Sequence, residues 1–150
     1  MSKFEEADLI LKLYDLRRET KMRTARDWYF LEFNPESFED FQKSLFSEYS
    51  GHVRMVLTYW DMAAALVNQG AISLELFNET NAEHIAVFAK IEPFLPQLRE
   101  SMSPRYCKNL EQLINATPDG RKQVAAARER IKAIRARVAA SVAAKAAAQE

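Results

Sequence analysis

Glycine, cysteine and histidine are all scarce in this chain, and each scarcity excludes a class of chemistry. The three glycines, Gly51, Gly70 and Gly120, stand far apart, so no glycine-rich loop can cradle a phosphate. Neither GxxxxGK[ST] nor GxGxxG occurs, and the GxSxG turn that exposes a nucleophilic serine is absent as well. Cys107 is the one cysteine, which excludes an internal disulfide and any CxxC-based zinc site. A reducing, cytoplasmic setting is the expectation. The two histidines, His52 and His84, form no HExxH and no Glu-x-x-His repeat of a di-iron bundle. No run approaches the roughly 18 apolar residues of a membrane span, and MSKFEEAD lacks the basic flank and apolar core of a secretory leader.

Few turn-formers and many large apolar side chains predict a small number of long elements. With 48% hydrophobic residues, nine Phe and two Trp in 150 residues, the chain can bury a core without a metal or cofactor to hold it. Ser2 and Glu5 have the spacing of a capping box. Phe4, Ala7, Ile10, Leu11 and Tyr14 then share one helical face, and Met22, Ala25, Trp28 and Tyr29 resume it. Arg17, Arg18 and Lys21 interrupt that stripe and predict either a break near residues 18–20 or a helix with an exposed middle.

Asn34-Pro35 ends the segment. Phe38, Phe41, Leu45 and Tyr49 mark a second helix, and a third runs from about His52 to Gln69 with Gly70 as its stop. Ser73 and Asn81 are expected to cap the next two helices, and Pro93 and Pro96 to kink the chain near Glu92. Ser103-Pro104 is expected to open a helix carrying Tyr106, Leu110, Leu113 and Ile114, and Thr117-Pro118-Asp119-Gly120 to form a turn. No strand-like alternation occurs. The expected fold is all-α, a compact bundle of six or seven helices with an Ala/Arg-rich C-terminal tail helix.

Zero net charge conceals a division. Residues 1–120 carry 13 basic and 19 acidic side chains, whereas residues 121–150 carry 8 basic and 2 acidic. The chain therefore divides into an acidic helical body, 1–116, and a turn followed by a basic helix, 117–150. That helix holds twelve alanines between residues 121 and 148, the strongest helix former. Val124, Ala127, Ile131, Ile134 and Val138 fall on heptad a and d positions, and the register slips after Val138. Arg128, Arg130, Arg135 and Arg137 occupy the flanking e and g positions, so a parallel homodimer of this helix would repel itself and an acidic partner is preferred. Glu5, Glu6, Asp8 and Asp15 are the nearest candidates. The same arginines could neutralise phosphates, but no aromatic residue accompanies them to stack on bases. A membrane-surface role is disfavoured by the lack of Leu, Phe or Trp on the apolar face.

Candidate chemistry is sparse. His84 shares a face with Val87, Phe88, Ile91 and Leu95 and reads as a core-edge histidine bonded to backbone, although Glu79 and Glu83 stand close enough to reach it. His52 reads as a capping or surface residue, and Cys107 as a small buried hydrophobe. On a helical wheel Arg54, Thr58, Asp61 and Asn68 form one narrow polar stripe, while Val53, Val56, Leu57, Trp60, Ala64 and Val67 form one buried face. Met55, Tyr59, Met62 and Leu66 form another beside it. Asp61 is expected to face solvent or one of Arg17, Arg18 and Arg26.

The segments LYDLRRETKMRTARDWYF (13–30), YWDMAAALVNQGAISLELF (59–77) and FAKIEPFLPQLRE (88–100) resemble a group of small bacterial all-helical proteins of unknown function. The resemblance covers residues 8–115 and leaves the tail aside. A proline is common in that group where Thr20 stands, which favours the helix break. It implies no active site. The expected function is a non-enzymatic interaction or scaffold module that binds a protein partner or self-associates through its C-terminal helix. Nucleic-acid binding through the tail arginines is the second reading. A small-molecule-binding or catalytic bundle with a pocket near Trp60, Asp61 and His84 is the third. No cofactor or metal is implied.

Overall fold

A computed structural model describes residues 2–149. Among them are nine α-helices, a turn of 3-10 helix and no strand. The all-α expectation holds, but the bundle has eight helices before the tail and not six or seven.

The first helix, α1 (Lys3–Arg18), begins at the expected capping box. Glu5 N–H donates to Ser2 Oγ at 3.2 Å and Ser2 N–H donates to the Glu5 carboxylate at 2.7 Å. It ends where Arg17 and Arg18 interrupt the stripe. Glu19 is extended there, and its carboxylate accepts Met22 N–H at 3.1 Å, capping α2 (Thr20–Leu31). The inward face of α1 differs from the expected one. Leu13 is buried with Leu9 and Ile10 against it, while Phe4, Leu11 and Tyr14 point to solvent. The helix touches the body along one thin line, too narrow to cover every apolar position.

Next, α3 (Phe38–Leu45) stops one turn earlier than its pattern suggests. Ser47 N–H and Oγ both donate to Ser44 O and divert the chain. Tyr49 then stacks on Trp28 at 5.0 Å. The following helix, α4 (Ser50–Asn68), is the axis of the body, with α2 along one side and α8 (Lys108–Ala116) along another. Its buried residues include Val53, Val56, Leu57, Trp60, Ala64 and Val67. Met62, expected on a second buried face, is exposed. Gly70 ends the helix at φ +81°, a conformation open to glycine.

Ser73 caps α5 (Leu74–Thr80) by accepting Leu76 N–H. Asn81 does not cap α6 (Glu83–Ile91). Its amide reaches back to Phe77 O, and its oxygen accepts from Arg17. The two prolines turn the chain through a 3-10 segment, Glu92–Phe94, into α7 (Leu95–Ser101). Nor does Ser103-Pro104 start a helix. Residues 103–107 form turns that end in Cys107 at φ +50°, and α8 begins after it.

That left-handed start leaves α8 with no side-chain cap of its own. Asp61 supplies one from α4: its carboxylate accepts Leu110 N–H at 2.9 Å and Asn109 Nδ2–H at 3.1 Å. One turn pair further along α4, Asn68 Nδ2 donates to Asn109 O at 2.9 Å. The lower half of the polar stripe, Asp61 and Asn68, therefore meets α8, while Arg54 and Thr58 stay exposed, and Asp61 meets backbone and amide donors instead of an arginine. Asp61→Ala is expected to lower the unfolding free energy by about 1–2 kcal/mol, and Asp61→Asn by less, since its amide oxygen still accepts. Urea unfolding of the two variants checks this.

After the turn, Gly120 packs so tightly that a Cβ would lie 2.0 Å from the backbone oxygen of Ile114. The last helix, α9 (Gly120–Ala147), then lies along α6 through Val124 and Ala127, with Ile131 at the margin. Beyond that its residues are exposed, and Arg135 still reaches the body at Glu36.

Candidate functional site

Three places bring together the residues singled out by sequence. The first is α9. Arg128 donates from Nε to Ala89 O at 3.1 Å and from Nη2 to Glu92 at 2.8 Å. Arg121 pairs with Glu92 and Glu111, and Arg135 with Glu36 at 3.6 Å. The acids of α1 are not its partners: Asp8 pairs within α1 with Lys12, and Glu6 accepts Ser73 N–H. The reason is direction, because α9 runs with α6 toward Asn34-Pro35 and away from the end of the body where α1 starts. Arg130 and Arg137 have no acidic partner among the described residues. On the same free stretch Ile134, Val138 and Val142 are 59%, 58% and 62% exposed.

The second place surrounds His84. The ring is only 1% exposed, and neither nitrogen has a hydrogen-bond partner. The expected backbone bond is absent because the ring is enclosed by aromatics: Trp60 at 5.6 Å and Phe77 at 5.0 Å between centroids. Burial lowers its pKa to about 4, so the imidazole is neutral at physiological pH. Trp60 Nε1 is also buried without a partner, and the Arg17 guanidinium lies over the indole at 5.5 Å. Trp60 and His84 are thus in contact, whereas Asp61 points to α8 on another face. A cleft of about 600 Å³ is lined by His84, Glu75, Asn78, Glu79 and Gln123, among others.

The third place carries Cys107 and Asp61. Both line a groove of about 410 Å³ with Leu57, Met62, Met102 and Tyr106. The Cys107 thiol is buried and pushed up to about 12, first by burial and then by the Asp61 charge. It is protonated at neutral pH and unsuited to nucleophilic attack.

Sequence reasoning missed two clamps. Arg26 on α2 holds Glu83 on α6 through one edge of its guanidinium, Nε and Nη2 donating to the two carboxylate oxygens at 2.8 and 2.6 Å. Lys90, 7% exposed, donates to Tyr29 O at 2.7 Å and Phe33 O at 2.8 Å, with Phe30 O and Asn34 Oδ1 at 3.3 Å. A lone lysine inside the apolar run of α6 was the visible signal, since lysine is almost never fully buried unless paired.

Among the described residues, no group of three or more His, Cys, Asp or Glu side chains is placed to hold a metal ion. None of the helices is long and apolar enough to cross a membrane. These features define an all-α multi-helix bundle with a long C-terminal helix. Residues 4–117 match the family described as "Domain of unknown function (DUF4760)", and the chain belongs to that family. No curated protein and no solved structure matches it.

Proposed function

We propose that the protein is a non-enzymatic interaction module whose contact element is the free half of α9. The carrying observation is the stripe of Ile134, Val138 and Val142, more than half exposed on a stretch otherwise made of alanine, serine, lysine and arginine. From Lys132 to Ala147 this part extends roughly 24 Å at 1.5 Å per residue, enough for a helical seam. The family match ends at residue 117, which supports treating α9 as an appendage of an acidic body, 1–116. Arg130 and Arg137, seven residues apart, flank the stripe and favour an acidic apolar partner. A surface of that kind exists on α1 of another copy, where exposed Phe4 and Leu11 alternate with Asp8 and Asp15 at the same spacing. Self-association by this contact joins unlike surfaces, and closes as a two-fold exchange or a ring.

Nucleic-acid binding ranks below it, because Arg128 and Arg135 are engaged with Glu92 and Glu36. The test is sedimentation of the full chain across a wide concentration range beside Ile134→Glu/Val138→Glu. Wild type is expected to gain mass with concentration, and the double variant to stay monomeric with unchanged helix content. A wild-type chain that is monomeric throughout would count against self-association, and salt-sensitive DNA or RNA binding lost in Arg130→Glu/Arg137→Glu would favour the second reading.

A further inference from the structure

We infer that the groove between α4 and the turns of residues 103–107 binds the carboxylate form of a medium-length aliphatic acid. The groove exists because α8 begins late. Residues 103–107 form turns that end in Cys107 at φ +50°, so turns and not a helix make its second wall. The space left is about 410 Å³, within the roughly 300–1,000 Å³ of small-molecule pockets.

The lining is apolar and in part still open to water. Leu45 and Leu57 are buried in it, while Met62 on α4 and Met102 at the end of α7 stay 45% and 53% exposed. Two half-exposed methionines in one groove make an adaptable apolar surface, because the unbranched thioether fills irregular gaps. The Cys107 thiol in the same lining is protonated at neutral pH and adds no charge.

Charge selects the occupant. Arg54 and Arg105 line the same groove, both are exposed, and neither is in an ion pair among the described residues. Arg54 commits only Nε, to Ser50 O at 3.4 Å, which leaves both Nη groups to donate. A carboxylate accepts from a guanidinium in a fork geometry that a neutral or cationic head group does not match. Asp61 is the one acid in the lining, and its oxygens are engaged by Leu110 N–H and Asn109 Nδ2–H. It stands roughly 10 Å from Arg54 along the helix axis. The anionic head is therefore placed at Arg54, with the apolar chain running toward Met62. A groove of this size takes one such chain and not the series of anchors at i, i+3, i+4 and i+7 that an amphipathic helix presents.

The experiment is titration of the full chain with octanoate, beside octylammonium, octan-1-ol and acetate, which change the head or remove the chain. Binding is read from the methyl resonances of Met62 and Met102. Octanoate is expected to saturate one-to-one and to move both signals, and the other three to bind roughly tenfold or more weakly, the worth of one hydrogen bond to a charged group. Arg54→Gln/Arg105→Gln should weaken octanoate by about the same factor and leave octan-1-ol unchanged. Arg23→Gln, at an exposed arginine on α2, should leave octanoate binding unchanged. The proposal is overturned if octanoate does not saturate or does not move the two signals, if octylammonium or octan-1-ol binds as tightly, if binding survives in Arg54→Gln/Arg105→Gln, or if Arg23→Gln weakens it equally. It is overturned as well if the signals move with protein concentration alone, which marks a second copy as the occupant, or if an amphipathic Leu/Glu helical peptide displaces octanoate at lower concentration.

Discussion

Lys90→Met is expected to lower the unfolding free energy by about 3 kcal/mol, the sum of two buried carbonyls left without a donor at ~1–3 kcal/mol each. The ammonium sits at the C-terminus of α2, where the last carbonyls of the helix have no partner within it. Tyr29 O and Phe33 O are its closest acceptors, and its positive charge meets the negative end of the helix dipole. The side chain also lies 5.4 Å from the ring centroids of Tyr29 and Phe30. Burial, and then the charge of Arg135, lower its pKa to about 8, so it keeps its proton at neutral pH.

Two effects compete in the substitution. Methionine avoids the desolvation of an ammonium, which is why exchanging a whole buried ion pair for apolar groups is often harmless. Here only the donor is removed, and the backbone acceptors stay buried where no side chain can replace them. The loss should therefore win. Urea unfolding of wild type and Lys90→Met measures it, and a variant as stable as wild type would show that desolvation and capping cancel.

Acidification from pH 6.5 to about 4 is expected to remove about 3 kcal/mol of stability through His84 alone. Its folded pKa is lowered from 6.5 to about 4 by burial. In that window the unfolded chain binds the proton and the folded one does not, so stability falls as pH falls. The contribution is complete above pH 6.5 and gone below about pH 4. Its size follows from ~1.36 kcal/mol per pH unit. Carboxylates titrate at the acid end of the same window, so the quantity to measure is the difference between wild type and His84→Phe. Urea midpoints at pH 7, 6, 5 and 4.5 should converge or cross as pH falls. Parallel curves would show that the imidazole takes up a proton without leaving its site.

Local features of the fold were legible because their causes lie within a few residues. The capping box at Ser2 and Glu5, the stop at Gly70, the cap at Ser73 and the proline turn near Glu92 each depend on neighbours in sequence. The interruption of the first apolar stripe by charged residues was legible too, but it allowed either a break or an exposed middle, and the extended Glu19 decided for the break. The burial of α4 followed from an apolar face too wide for a surface helix. Misreadings arose where a strong local signal met a tertiary constraint. Asn81 and Ser103-Pro104 have good helix-start chemistry, yet packing assigns Asn81 to Arg17 and Phe77 and places the start of α8 after Cys107. On α1 the periodicity was real, but a peripheral helix buries only part of it, and which part depends on the surface it meets.

The candidate site was legible only as a set of residue types. Trp60, Asp61 and His84 stood out as polar or aromatic residues in apolar surroundings, but nothing local says that two of them touch while the third turns to α8. By itself, then, the sequence determined that the chain is helical, where most helices begin and end, and that a basic helix follows an acidic body. Tertiary structure alone decided the partners of the buried polar groups. Asp61 meets Leu110 across 49 residues and Lys90 meets Tyr29 across 61. Helix formation answers to spacing along the chain, whereas a buried charge or imidazole answers to whatever packing brings within 3 Å.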